Sequence, residues 1–120
     1  YNYLDNRFES YMKELKKNEC EIHTRSAFLQ GLFFMDIKQL NSFFDEIKPI
    51  LENLQQSVNE LPAALLQFCI SKPFIDKVIF GVNTFEQLSD NIKKLSVSYE
   101  LPINNKQINE SILIPSKWPK

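Results

Sequence analysis

The sequence has few of the residues that mark specialised protein classes. Its 120 residues include two glycines, two cysteines and one tryptophan, and the formal net charge is -1. Because neither sign of charge dominates, we expect neither a nucleic-acid-binding protein nor a membrane-surface protein. The longest uninterrupted apolar runs are a few residues long, far below the ~20 that span a bilayer. We therefore expect a soluble, cytoplasmic protein.

Cysteine chemistry is also scarce. Cys20 and Cys69 are far apart and belong to no CxxC pair or His-rich cluster, so neither a zinc site nor a disulfide framework is expected. Reduced, partly buried thiols are the simpler interpretation. The residues that are abundant are hydrophobic (43%) and aromatic (12%), a composition typical of a globular domain.

Apolar residues recur at helical spacing in several segments. The first predicted helix covers residues 7–17, with candidate N-caps Asp5 and Asn6 and an apolar face of Phe8, Tyr11, Met12 and Leu15, and the second covers residues 36–47, with Leu40, Phe43, Phe44 and Ile47. Two further helices begin near a proline and cover residues 49–58, with Pro49 in the first turn, and residues 62–71, with Pro62 at the start. The last predicted helix covers residues 85–95, with a buried stripe of Leu88, Ile92 and Leu95.

Two β-capable runs lie between these helices. Residues 21–25 and the run "KVIFGV", from Lys77 to Val82, are short and rich in branched or aromatic residues, as in buried parallel strands. Thr84 and Gln87 form a capping-box pattern that predicts a helix start at Phe85.

Gly81 lies between the second predicted strand and this helix, and it has two interpretations. It permits a tight turn between strand and helix, which is the commoner use of such a glycine. Alternatively, it lets an anionic ligand approach the backbone at the helix N-terminus, where unpaired N–H groups and the helix dipole favour phosphate. The sequence pattern alone leaves both open.

Four stretches, "YNYLDNRF", "RSAFLQGLFF", "DKVIFGVNTFEQLSDNIKKL" and "PSKW", together resemble the C-terminal part of the aldo/keto reductase family, over essentially the whole chain. The resemblance implies an α/β fold, the C-terminal part of a (β/α)8 TIM barrel, helix-rich with a short parallel strand pair. Residues 1–120 would be a single partial domain. Residues 1–3 would leave strand six, residues 22–25 and 77–80 would be strands seven and eight, and the tail after Leu101 would wrap the outside.

The resemblance also implies a cofactor site in the loops after these two strands. In the first loop the implied cofactor-binding residues are Arg25, Ser26, Phe28, Gln30 and Gly31. Ser26 and Gly31 match the family pattern, whereas Arg25 replaces the usual aromatic residue and Ala27 the usual proline. The planar Arg25 guanidinium can stack on a nicotinamide, and a salt bridge at the barrel rim is the alternative role.

In the second loop and the following helix, the resemblance assigns adenosine and phosphate contacts. The matching residues are Gly81, Asn83, Gln87, Asp90 and Asn91, with Leu88 beside them. Gln87 stands where other members place an arginine on the 2′-phosphate, so the implied cofactor is NADP, with NAD possible. A purely helix-capping role for Gln87 is the alternative, because one amide cannot fully serve both.

The family's catalytic Tyr, Lys, Asp and His belong to strands outside this chain, and His23 is interpreted as a packed or surface residue. The chain is therefore expected to bind NADP(H) within a reductase acting on a carbonyl or alcohol substrate, and to be inactive alone. A non-catalytic helical protein-interaction module is the alternative. We expect an uncovered inward sheet face, formed by Ile22, Val78 and Phe80 or their alternates, and hence self-association or pairing with the missing half.

Overall fold

A computed structural model describes residues Tyr1–Lys120. The helices and strands, in chain order, are α1 (Glu9–Lys17), β1 (His23–Thr24), α2 (Lys48–Ser57), α3 (Leu61–Ile70), β2 (Lys77–Val78), α4 (Phe85–Lys94) and α5 (Glu110–Leu113). Short 3-10 turns cover Leu29–Phe34, Ile37–Gln39, Ser42–Phe44 and Pro115–Lys117. The architecture is mixed α/β, as predicted.

The sheet consists of β1 and β2, which pair in parallel with His23 opposite Lys77 and Thr24 opposite Val78. Both strands are shorter than predicted. The Ile79 N–H still donates to the Thr24 carbonyl at 2.8 Å, but Ser26 has a φ of 67°, which turns the chain out of the extended conformation. The parallel pair itself confirms the prediction of two strands joined by a helical crossover.

Helix α3 is the central helix. Six of its residues are buried, including Ala64, Leu65 and Leu66, and a helix that is apolar on several sides is buried between neighbouring elements. One side joins the main core, which also contains Phe33, Leu51 and Leu54. The other side forms a smaller cluster beneath the sheet. Pro62 stands in the first turn of α3, as Pro49 does in α2, and both placements confirm the predicted helix starts.

The prediction of a helix over residues 36–47 is wrong. Two 3-10 turns replace it, separated at Leu40 and Asn41 by extended backbone. The Asp36 carboxylate accepts a hydrogen bond from the Lys38 N–H at 3.0 Å, and the Asn41 side-chain oxygen accepts one from the Phe43 N–H at 2.8 Å. Such local side-chain to backbone bonds compete with helical ones, so each polar residue starts a new turn.

The tail after Leu101 does more than wrap the outside. Ile108, Ile112 and Leu113 are buried in the main core. The Trp118 indole N–H donates to the Ile112 carbonyl at 2.8 Å, and its ring packs edge-on against Phe44 at 5.1 Å between centroids. The tail therefore closes one side of the core, where its apolar residues are removed from water.

Several predicted apolar faces are uncovered. On α1 the side chains of Phe8, Tyr11 and Leu15 are 57%, 67% and 48% exposed, and no residue of the helix is buried. Helix α1 also begins two residues later than predicted, with Phe8 and not Asp5 or Asn6 at the N-cap. The Asp5 carboxylate instead pairs with the Arg7 guanidinium at 2.8 Å.

Helix α4 is half covered. Leu88 and Leu95 of its predicted stripe are half-buried, but Ile92 is exposed. Helix α4 packs against α3, and the N-terminal Phe85 side chain extends into solvent. The prediction of a fully buried stripe is therefore wrong, because α3 covers only part of it.

The exposed sheet face is not the one formed by Ile22, Val78 and Phe80. Ile22 is buried, and Val78 and Phe80 pack on the cluster that contains Leu66 of α3. The alternate residues His23, Arg25, Lys77 and Ile79 are exposed, because successive strand residues point to opposite faces. None of the helices is long and apolar enough to cross a membrane.

Candidate functional site

The carboxyl ends of β1 and β2 lie at the same edge of the sheet because the strands are parallel. Residues 25–31, here called the first exit loop, and residues 79–84, the second exit loop, therefore leave the sheet side by side. The Phe28 and Phe80 rings meet edge to face at 5.9 Å between centroids. The sequence did not predict this contact, although each aromatic residue lies a few positions beyond its strand.

The first exit loop has an unusual backbone. Ser26, Leu29, Gln30 and Gly31 all have positive φ, between 44° and 80°, a region that costs non-glycine residues energy. The conformation is held by a hydrogen bond from the Leu29 N–H to the Ser26 carbonyl at 3.0 Å and by burial of the Leu29 side chain. Core packing thus fixes the loop.

The predicted binding side chains of the first exit loop are oriented mainly toward solvent. Arg25, Ser26 and Gln30 are exposed and their side chains form no hydrogen bond within the chain. Arg25 takes part in no ion pair, so its alternative role in a rim salt bridge is not seen. Phe28 is half-buried between Phe34 and Phe80, with ring centroids 5.2 and 5.9 Å away, and is chiefly a packing residue.

The second exit loop ends in the predicted capping box. The Gln87 N–H donates to the Thr84 hydroxyl at 3.1 Å, and the Gln87 side-chain oxygen accepts from the Asn83 N–H at 2.8 Å. The cap therefore uses the oxygen of the Gln87 amide. Its Nε2 donates to no group of the chain, so one half of the amide remains available to a ligand.

The N-terminus of α4 also has unused donors. The N–H groups of Phe85 and Glu86 make no hydrogen bond within the chain, as is usual in the first turn of a helix. Together with the helix dipole they favour an anion. The Glu86 carboxylate on the same turn repels an anion and so opposes this preference.

Gly81 is not required by the fold. Its φ is not in the left-handed region, and a Cβ at this position would meet no atom within 4 Å. The turn between β2 and α4 therefore permits glycine at this position but does not require it. Gly31 differs, because its φ of 80° is one that side-chain-bearing residues rarely adopt.

Asp90 and Asn91 lie one helical turn beyond Gln87, on the same side of α4. Asp90 is exposed, Asn91 is half-buried, and neither side chain forms a hydrogen bond. The structure therefore brings Gly81, Asn83, Gln87, Asp90 and Asn91 along one path from the sheet edge. The first-loop residues begin at the same edge.

A charged cluster occupies the exposed sheet face. The Glu21 carboxylate lies 2.7 Å from the His23 Nε2 and 2.8 Å from the Lys77 Nζ. Hydrogen bonds from His23 and Lys77, with the Lys77 charge, lower the pKa of Glu21 to about 2. His23 is a surface residue, in agreement with its predicted role. No group of three His, Cys, Asp or Glu residues is placed to hold a metal ion.

The Cys69 thiol is buried, and burial raises its pKa to about 11. Both cysteines are free thiols. At neutral pH the Cys69 thiol is protonated and therefore a poor nucleophile, so it offers no covalent chemistry to the exit loops.

A well-defined cleft of the molecule lies away from the exit loops. It has a volume of about 710 Å³ and lies between the N-terminal segment, α3 and residues 98–104. None of the predicted cofactor-binding residues lines it. Sequence patterns do not predict this cleft, because its walls come from three distant parts of the chain. Comparison of the chain with protein-family models, curated proteins and solved structures finds no match.

Proposed function

We propose that the chain is the NADP(H)-binding, C-terminal part of an aldo/keto reductase barrel. In this proposal β1 and β2 are the last two strands of the (β/α)8 barrel. The exit loops hold the cofactor, and the catalytic groups that reduce a carbonyl belong to strands outside the chain. Support comes from the resemblance in four stretches, and from two neighbouring loops at the carboxyl edge of a parallel pair, where such barrels bind phosphate.

The main observation in support of this proposal is Gly81. A glycine that neither the backbone conformation nor the packing requires is explained by a ligand that approaches the backbone closely. The unused N–H groups of Phe85 and Glu86 and the Gln87 Nε2 lie immediately beyond it. These donors suit a phosphate, which accepts several hydrogen bonds at once.

Each exit loop has a distinct role in this assignment. Asn83, Gln87, Asp90 and Asn91 would contact the adenosine end and its 2′-phosphate. The exposed Arg25, Ser26 and Gln30, with Gly31, would face the pyrophosphate and nicotinamide. Phe28 would support the loop by packing on Phe80. NADP is favoured over NAD because Gln87 retains a donor for the extra phosphate.

Titration of the 120-residue chain with NADPH and NADH tests this proposal. We expect NADPH to bind more tightly, and the Gln87→Glu variant to weaken NADPH more than NADH, because like charges repel at the 2′-phosphate. Glu86→Gln is expected to strengthen binding of both cofactors. Equal effects of Gln87→Glu on the two cofactors would remove Gln87 from the site.

The isolated chain is expected to show no NADPH-dependent reduction of a carbonyl, because it lacks the proton donor and its partners. The assay uses 4-nitrobenzaldehyde as the substrate and follows loss of NADPH absorbance. Sustained turnover by the purified chain, beyond that of a heat-denatured sample, would contradict the assignment of the catalytic groups to strands outside the chain.

A second candidate function is a non-catalytic helical protein-interaction module. The exposed stripe of α1, with Phe8 at 57% and Tyr11 at 67% exposure, favours it, because large apolar patches on soluble domains commonly mark interaction sites. In either function we propose that the chain self-associates or pairs with a complementing polypeptide.

Light scattering at micromolar concentration tests the association. The wild type is expected to form oligomers or to co-purify with a second polypeptide. A double variant, Phe8→Ser with Tyr11→Ser, is expected to shift the distribution toward the monomer. Glu14→Ser on the same helix serves as the matched control. A monodisperse wild-type monomer without a companion would contradict the association.

A further inference from the structure

The cleft between the N-terminal segment, α3 and residues 98–104 has dimensions typical of a small-molecule site. Its volume of about 710 Å³ lies within the range of roughly 300–1,000 Å³ found for ligand pockets. One wall is the N-terminal segment with Tyr3 and Asn6. The second is α3 with Gln67 and Phe68, and the third is the segment of residues 98–104. The cleft is separate from the proposed cofactor site.

The walls of the cleft are joined by hydrogen bonds between side chains and backbone. The Tyr3 hydroxyl donates to the Pro102 carbonyl at 2.5 Å. The Gln67 side-chain oxygen accepts from the Tyr99 N–H at 2.9 Å, and its Nε2 donates to the Val97 carbonyl at 2.6 Å. The three walls are therefore tied together without a ligand, which limits the ordering cost of binding.

The lining is uncharged. None of the thirteen lining residues is Asp, Glu, Lys, Arg or His, and burial raises the pKa of Tyr3, which keeps its phenol neutral at physiological pH. A charged ligand entering this cleft would lose hydration without gaining a counter-charge. The lining therefore selects for a neutral ligand.

The lining of the cleft combines polar groups without partners and apolar ones. The Asn6 amide, the Ser98 hydroxyl and the Asn104 Nδ2 form no hydrogen bond within the chain. Leu101 and Ile103 line the same cleft, and Ile103, at 88%, is the most exposed large apolar residue of the molecule. Amides and a hydroxyl can both donate and accept, whereas the two aliphatic side chains offer surface for C–H groups.

We propose that this cleft binds an uncharged sugar, a ligand that presents several hydroxyls around an apolar ring face. Its hydroxyls would pair with Asn6, Ser98 and Asn104, and its C–H face would pack on Leu101 and Ile103. This binding activity does not depend on the proposed cofactor role, because no residue is shared between the two sites.

NMR titration of the isotope-labelled 120-residue chain tests the proposal, with methyl α-D-glucoside and methyl α-D-galactoside as probes and glucose 6-phosphate as the charged comparison. We expect at least one glycoside to shift the side-chain amide signals of Asn6 and Asn104 in a saturable manner, with a Kd of about 1 mM or below. Glucose 6-phosphate is expected to bind at least about tenfold more weakly.

Two variants and a control locate the binding. Asn6→Ala and Ser98→Ala remove side chains that form no hydrogen bond in the fold, so both variants are expected to remain folded. Each is expected to weaken glycoside binding about three- to tenfold, as loss of one hydrogen bond predicts. Asn105→Ala, just outside the cleft, should bind as the wild type does. Absence of saturable shifts with either glycoside, or equal binding by Asn6→Ala and wild type, would overturn the proposal.

Discussion

The two exit loops follow paired strands and lie side by side, yet they are held by different forces. The first exit loop has four residues with positive φ and buries Ala27 and Leu29. The second exit loop has no positive φ and no buried residue. Core packing therefore dictates the first backbone and offsets its strain. In the second, Thr84 caps α4 and Phe80 packs on the small cluster, whereas Gly81 is required by neither the backbone conformation nor the packing.

Substitution of a buried residue in the first exit loop should have the largest effect on stability. Leu29 is 1% exposed and belongs to the main core. Leu29→Ala is expected to lower the free energy of unfolding by about 2–5 kcal/mol, because it removes buried apolar contacts and leaves a cavity. The comparison is Val82→Ala in the second exit loop, where the side chain is 38% exposed.

Urea unfolding monitored by circular dichroism measures both variants. Val82→Ala should lie within about 1 kcal/mol of wild type, as expected for a partly exposed side chain. Similar losses in the two variants would contradict the distinction between a packed and an unpacked loop.

The two glycines provide the next contrast. Gly31→Ala is expected to destabilise the fold by about 1–2 kcal/mol, since its φ of 80° is costly for a residue with a Cβ. Gly81→Ala is expected to leave stability unchanged or to raise it by up to about 1 kcal/mol, because alanine restricts the unfolded chain. Thermal unfolding of the pair checks both signs. A loss of stability in Gly81→Ala equal to that in Gly31→Ala would restore the turn interpretation.

The capping box should contribute a smaller, local effect. Thr84→Ala removes the acceptor of the Gln87 N–H and is expected to cost about 1 kcal/mol, the usual value of an N-cap. Ser26→Ala, whose side chain has no partner in the chain, serves as the control. Amide hydrogen exchange should accelerate in α4 of the Thr84→Ala variant alone. Unchanged exchange in α4 would show that the cap contributes nothing.

Short-range signals in the sequence correctly predicted the helix starts that depend only on neighbouring residues. Pro49, Pro62 and the Thr84–Gln87 pair placed three helix starts correctly, because each acts within one helical turn. The prediction of a helix over residues 36–47 was wrong because the Asp36 and Asn41 side chains accept hydrogen bonds from backbone N–H groups. The spacing of apolar residues gives no information about such bonds.

Features that depend on distant parts of the chain were harder to predict. Ile108 and Ile112 of the tail are buried because the tail packs against α2 and the Leu29–Phe34 turn. In the candidate site, the sequence identified the capping box and the glycine. It did not identify the Phe28–Phe80 contact or show that the fold does not need Gly81, because both depend on how the two exit loops pack.

The effect of a Gly81 substitution on NADPH affinity tests most directly the central claim that the second exit loop binds the cofactor. NADPH is titrated calorimetrically into wild type and Gly81→Val, with thermal unfolding of each protein as the folding control. Because a branched side chain would occupy the space of the approaching ligand, we expect NADPH binding to weaken at least about fivefold, or ~1 kcal/mol, in a variant that melts close to the wild type. Equal NADPH affinity in the two folded proteins, or no binding by either, would contradict the assignment of this loop to the cofactor.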